Sequence, residues 1–376
     1  MEEPGEGFAG GMNVFLRGLL RGLSQRGIGT DVLTRATGET VEVTDPFPGV
    51  RIFHVPCGWK EPPTRQGAWD SLGRFAEGAR LLMRGERISP RVVSAHYWMS
   101  GSATGKIADA PMVLSYHTVE ARKAPRRPAG GDPLSAVRRR EEERLARMAA
   151  RVVFFSEYDL ERNRSVFPGL GEKGIVIAPG VDDRFRRLLP LQVARAYIGL
   201  PLSGAIFLLA ARGDAGKNAR VALDTFREVR GRWKGEVSLV VAGQKGEDGG
   251  GVRFLGSVPH DGMPVLFAAA DAVVCPSIYE SFGLVPLEAL SAGIPVLAPK
   301  GTYWGEKIDA EGGGLAYAPE GPDGLADAMF RLLSDSSLRA RLSLRGPEVA
   351  APFTWERCTE TWAGLLSSVS TLRSPR

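Results

Sequence analysis

The sequence is poor in the residues that staple small folds together. It has three cysteines in 376 residues, Cys57, Cys275 and Cys358, odd in number, far apart and not in metal-ligand spacing. That excludes a disulfide framework and reads as free thiols in a reducing cytoplasm. The four histidines show neither HxH nor HxxxH pairing, so no metal site is expected. Long apolar runs are also missing. The longest, such as residues 205–211 and 268–275, have the length of a strand and lie between turn signals, so no membrane insertion is expected. Residues 1–11 are acidic and glycine-rich, with no basic start and no apolar stretch behind it, so they do not read as a signal peptide. Charge of one sign is in modest excess, +5 overall. The basic residues are scattered or interrupted by acidic ones, as in RRREEER at 138–144, and no aromatic-interleaved basic stripe appears. Nucleic acid is therefore not an expected partner. A cleft for a diphosphate needs only a few placed cations.

What is abundant is alternation. Hydrophobic residues make up 43% of the chain, enough for two domains of ordinary size. Residues 14–26 (VFLRGLLRGLSQR) place Phe15, Leu16, Leu19, Leu20 and Leu23 on one helix face, and Gly27 and Gly29 end the helix. Short β-rich runs follow at 30–35, 50–55, 92–95, 112–116, 151–156 and 174–178, with an amphipathic helix over 138–150. The second half repeats the style. Strands are expected at 205–210, 237–242, 252–255, 272–275 and 295–298, and helices at 219–230, 263–270 and 284–292. This pattern predicts an α/β protein of two doubly wound, Rossmann-like parallel sheets. The expected divisions are 1–185, 186–350 and a C-terminal helical tail, 351–376, with the last three residues frayed. The chain enters directly in a Gly-rich loop, so the first strand of the first domain is expected to be missing, a start placed too late being one reading.

The strongest local signal is residues 276–289 (PSIYESFGLVPLEA). Glu280 falls in the loop after a buried strand and Glu288 in the helix that follows. Between them the N–H groups near Phe282, Gly283 and Leu284 occupy a helix N-terminus, which attracts phosphate. Glu280 is suited to sugar hydroxyls and Glu288 to a ribose. A second signal is residues 211–218 (ARGDAGKN), where Arg212 and Lys217 stand between a buried strand and a helix. Cations at the carboxyl end of a strand point into the crevice where such sheets bind ligands. Each would give a leaving nucleoside diphosphate roughly 2–4 kcal/mol of transition-state stabilisation. Gly10 and Gly11 open the first helix and allow close approach of an anion, although glycine pairs commonly serve only as turns. His117 ends a strand in residues 115–118 (SYHT), a position where a lone histidine is more often structural.

Together these residues resemble the family 4 retaining glycosyltransferases of the GT-B fold, in the branch of the mycothiol-pathway N-acetylglucosaminyltransferase and the sucrose-phosphate synthases. The matching pieces are GGMNVF at 10–15, HYWMSG at 96–101, His117-Thr118, PGVD at 179–182, Arg212 with Lys217, and 280–289. The resemblance spans nearly the whole chain. It implies two domains facing a central cleft and a final helix that crosses back onto the first. It implies that Arg212 and Lys217 hold a diphosphate, that Glu280 and the amides after it hold the donor sugar, and that Glu288 holds the ribose. His117 would lie beside the transferred sugar, and no metal or other cofactor would be needed. On the acceptor side it implies Asn13, Tyr97, Thr118, and Arg138 or Arg139, with Arg65 where the family has a lysine. KGTYWG at 300–305 replaces the family's usual glycine-rich loop.

The expected function is thus a cytoplasmic, metal-independent, retaining glycosyltransferase, with a homodimer as one expected assembly. Its donor would be a nucleotide sugar of the UDP or GDP type. Its small acceptor would be inositol-phosphate-like, or a thiol or aminocyclitol in an antibiotic-type pathway. The alternatives are a nonhydrolysing sugar-nucleotide epimerase and a catalytically silent binding protein of the same fold.

Overall fold

The computed structural model describes residues 10–123, 132–186, 189–211, 215–319 and 324–372. The chain divides into two compact units. One comprises Phe15–Ala178 with the C-terminal stretch from Trp355 onward, and the other comprises residues 10–14 with Pro179–Thr354. The strand expected to be missing ahead of residue 10 and the fraying expected at residues 374–376 both fall outside the described residues.

The helix Gly11–Gln25, which belongs to the first unit from Phe15 onward, starts three residues earlier than its apolar stripe suggests. It buries Phe15, Leu19, Leu20 and Leu23. Gly27, at φ +69°, turns the chain out of it, and the N–H of Ile28 returns to the carbonyl of Leu23 at 3.0 Å. Three strands follow, β1 (Thr30–Ala36), β2 (Glu42–Phe47) and β3 (Val50–Pro56), in the order β1-β3-β2. β1 and β3 are parallel, and β2 is antiparallel to β3. β2 was not expected from the sequence. It is an exposed edge strand containing Pro46 and has no buried face to leave a hydrophobic pattern. The strands β4 (Val93–His96), β5 (Met112–Ser115), β6 (Arg151–Phe154) and β7 (Gly174–Val176) form a separate, all-parallel sheet in sequential order. Trp98, Leu114 and Val152 are fully buried in the core beneath it.

The second unit is one six-stranded sheet in which every pair is parallel. Its strands are β8 (Ala205–Ala210), β9 (Val237–Ala242), β10 (Val252–Gly256), β11 (Ala272–Val274), β12 (Val296–Pro299) and β13 (Gly314–Tyr317). Their order is β10-β9-β8-β11-β12-β13. The near-continuous apolar runs of β8, β9, β11 and β12 are what two covered faces demand. The winding direction reverses between β8 and β11, and ligands of such sheets bind at that switch point, outside the carboxyl ends of the strands.

The final helix, Trp355–Ser370, packs within the first unit on a notch made by Gly18 and Gly22 of the first helix. A Cβ on Gly18 would collide with the Trp355 indole, and one on Gly22 with the Thr359 side chain. The spacing of four puts both glycines on one helix face.

Candidate active site

The carboxyl ends of β8 and β11 lie side by side at the switch point, because the two strands are neighbours. The 3₁₀ turn Ala215–Lys217 carries Lys217. Lys217 Nζ donates to Glu280 Oε1 at 2.7 Å, with both side chains about one-third exposed. Asn218, next in sequence, holds φ +53° and caps the helix Ala219–Arg232. Arg212 lies outside the described residues.

Gly283, at φ +93°, is the N-cap of the helix Leu284–Ser291. A side chain at 283 would be strained, and its Cβ would lie 3.4 Å from Glu280 Oε2. The N-terminal amides of this helix therefore open beside Glu280. Phe282 is buried against Tyr303, Trp304 and Phe353, so its side chain belongs to the packing of the loop. Trp304 Nε1 donates to the Gly283 carbonyl at 2.8 Å and holds the loop. KGTYWG thus supplies a tryptophan that braces the turn at Gly283. Glu288, one turn into the helix, is buried and accepts from His260 Nε2 at 2.8 Å. Cys275 follows β11 directly. Burial pushes its thiol up, the carboxylates of Glu280 and Glu288 push it further, and Lys217 opposes them. Those three charges therefore share one neighbourhood. Gly11, which groups with this unit, has Leu284 Cδ1 at 3.8 Å from the place of a Cβ.

In the first unit, two strand ends carry backbone strain. Tyr97, after β4, holds φ +81°, and His117, after β5, holds φ +59°. Such conformations persist only where surrounding structure imposes them, and they cluster at functional sites. The His117 ring packs among Phe15, His96 and Phe155. Its Nε2 is 3.0 Å from His96 Nδ1. Burial pushes His117 well below the ordinary histidine range and His96 down to about 4. Both rings are therefore neutral near pH 7.

Tyr97, Thr118 and Arg138 come together. Arg138 Nη1 reaches Tyr97 Oη at 3.4 Å, and Nη2 reaches Thr118 Oγ1 at 3.1 Å. Arg138 is buried, on the inner face of the helix Ser135–Met148. It is compensated by Glu142, 2.7 Å from its Nε, and by Glu120, 3.3 Å from its Nη1. Arg139 is exposed. Arg65 begins the short helix Arg65–Asp70 and pairs with Asp132 at the surface. Neither belongs to the Arg138 group. Asn13 lies in the first turn of its helix, with its N–H on the Gly10 carbonyl at 2.8 Å. The sequence reading missed Glu120, Glu142 and His260. A signal for Glu142 existed, since Leu134, Arg138, Glu142 and Leu145 recur at helical spacing within what reads as a charged run.

Residues 9–185 match the description Glycosyltransferase Family 4, and residues 193–349 match Glycosyl transferases group 1. A protein of Nocardioides sp., named D-inositol 3-phosphate glycosyltransferase, is 30% identical, over 95% of this chain and 84% of that protein. The chain belongs to glycosyltransferase family 4. Another relative of the same name, from Corynebacterium diphtheriae, is 30% identical over 96% of this chain and 90% of its own. Among solved structures, the sucrose-phosphate synthase of Thermosynechococcus elongatus superposes with a TM-score of 0.83 at 23% identity, covering 96% of this chain and 94% of that one. HepE of Anabaena, solved with UDP and glucose, gives 0.70 at 18% identity, over 96% of each chain. The fold of this glycosyltransferase is accordingly GT-B. Among its described residues, no helix is long and apolar enough to cross a membrane.

Proposed function

We propose that this glycosyltransferase moves a sugar, with retention, from a nucleoside diphosphate donor to a small acceptor. The observation that carries the reading is the meeting of Lys217 and Glu280 at the switch point of the second unit's sheet, beside a helix N-terminus. Lys217 and the amides after Gly283 take the diphosphate, and Arg212 joins them. Glu280 accepts from donor sugar hydroxyls, and Glu288 from the ribose. The bond from the anomeric carbon to the diphosphate breaks while the bond to the acceptor forms on the same face. The acceptor's proton passes to a diphosphate oxygen. Glu280 is engaged by Lys217 and Glu288 by His260, which suits binding roles rather than the paired flanking carboxylates of a glycosidase. Cations and helix dipole stabilise the departing charge, so the reaction needs no metal.

The relatives' name points to inositol 3-phosphate as the acceptor class. One observation favours a second, less anionic acceptor such as an aminocyclitol. Arg138 is already offset by two buried carboxylates, and Arg65 and Arg139 lie away from it. The test is a grid of UDP- and GDP-sugars against inositol 3-phosphate, free inositol and an aminocyclitol, with EDTA present. The product's anomeric configuration is read by NMR. Turnover with no acceptor would mark an epimerase, and an inverted product would reject the mechanism.

A further inference from the structure

His260 opens the 3₁₀ turn His260–Gly262, and Arg184 lies in the turn Asp183–Arg186. Arg184 Nη2 is 2.6 Å from His260 Nδ1, and its Nη1 pairs with Asp261. A guanidinium can only donate, so Nδ1 must be the acceptor. The ring proton is therefore on Nε2, which lies 2.8 Å from Glu288 Oε1. The buried Phe185 ring packs on the imidazole at 5.5 Å. Arg184 thus selects one tautomer of His260, and that tautomer donates to Glu288.

We propose that His260 is a positioning residue for the donor: Arg184 fixes its Nε2–H tautomer, and that N–H orients the Glu288 carboxylate so that its other oxygen meets the ribose hydroxyls of a nucleoside diphosphate. This rests on the assignment of Glu288 to the ribose. A carboxylate held beforehand loses less rotational freedom on binding. A neutral imidazole orients it without competing, as a second cation would, for its negative charge.

The experiment is titration calorimetry of the full chain with UDP, GDP and ADP, and with their 2′,3′-dideoxy counterparts. The readout is the preference for ribose in the diphosphate that binds. Hydroxyl bonds to a charged acceptor predict a preference of about tenfold or more in the unaltered protein. Glu288→Ala should abolish it. His260→Phe and Arg184→Met should cut it severalfold. His260→Gln, whose amide nitrogen stands where Nε2 stood, should retain most of it. The ratio of diphosphate to monophosphate affinity should stay constant in the His260 variants, which a general collapse of the site would not allow. Full ribose preference in His260→Phe, with loss in Glu288→Ala, overturns the positioning role and leaves the site reading standing. Equal loss in His260→Gln and His260→Phe overturns it in favour of packing. Preference surviving in Glu288→Ala overturns the ribose assignment and this inference together. Should His260→Phe fail to fold, Arg184→Met carries the same comparison.

Discussion

Lys217 Nζ and Glu280 Oε1 stand 2.7 Å apart, although 63 residues separate them in sequence. Each offsets the other's charge, so on the proposed assignment a diphosphate arriving at Lys217 would compete with the Glu280 carboxylate. If Glu280 holds the donor sugar as proposed, Glu280→Ala should lower kcat by roughly 10²-fold, because a contact strengthened in the transition state would be lost. Nucleotide affinity should hold or rise, because Lys217 loses its competitor. Steady-state kinetics with calorimetry checks this, and near-normal turnover would remove Glu280 from the site.

Lys217→Ala should behave differently. On the proposed assignment the lysine would meet diphosphate charge in both the bound and transition states, so nucleotide affinity and turnover should fall together. An unchanged nucleotide Kd would count against the assignment.

Arg138 sits buried between Glu120 and Glu142. Arg138→Met would leave two buried carboxylates without their cation, at a cost of about 3–5 kcal/mol. Arg65→Ala, at an exposed pair, should change stability by less than about 1 kcal/mol. Chemical denaturation followed by tryptophan fluorescence distinguishes the two. The same Arg65→Ala protein reports on the acceptor, since a raised acceptor KM with intact donor binding would place Arg65 on an anionic group.

Gly22→Ala should destabilise the protein by about 1–3 kcal/mol, because its methyl would overlap the fully buried Thr359. Gly364→Ala lies in the partner helix with nothing within 4 Å of a new Cβ, and should be neutral or stabilising by up to about 1 kcal/mol. Melting temperatures of the two variants should move in opposite directions or differ clearly.

His96, with its pKa pushed down to about 4, and His117, pushed well below the ordinary histidine range by burial and by His96, resist protonation in the folded state. The unfolded chain takes up those protons near pH 6.5, so their contribution to stability is lost as pH falls from about 6.5 to about 4. Asp159 acts in the opposite sense. Burial raises its carboxyl to about 7, so its ionisation weakens the fold as pH rises from about 4 to about 7. The melting temperature of Asp159→Asn relative to the unaltered protein should therefore climb between pH 5 and pH 8. A difference independent of pH would show that Asp159 titrates normally.

Much of this was legible in the residues. Buried parallel strands write themselves as short apolar runs, so β8, β9 and β11 were found within a residue of their ends, and the polar loops behind them drew attention to Lys217, Glu280 and Glu288. β2 was invisible, because an exposed edge strand has neither an alternating nor a continuous apolar pattern. The run RRREEER read as part of an amphipathic helix over 138–150, with nothing local to say which charges face inward. The helix turns Arg138 and Glu142 inward with Leu145, because each charge meets its opposite there.

By itself the sequence determined the α/β class, the strand-to-helix alternation in both units and the chemistry offered at each loop, all of which depend on neighbours within a few residues. Tertiary structure decided which loops meet. The order β10-β9-β8-β11-β12-β13 sets the loop of Lys217 beside that of Glu280, and the packing of residues 179–186 against the turn at 260 ties Arg184 through His260 to Glu288. The reason is that strand order and side-chain pairing follow from how whole layers bury their faces, a free energy shared across the unit and carried by no local pattern.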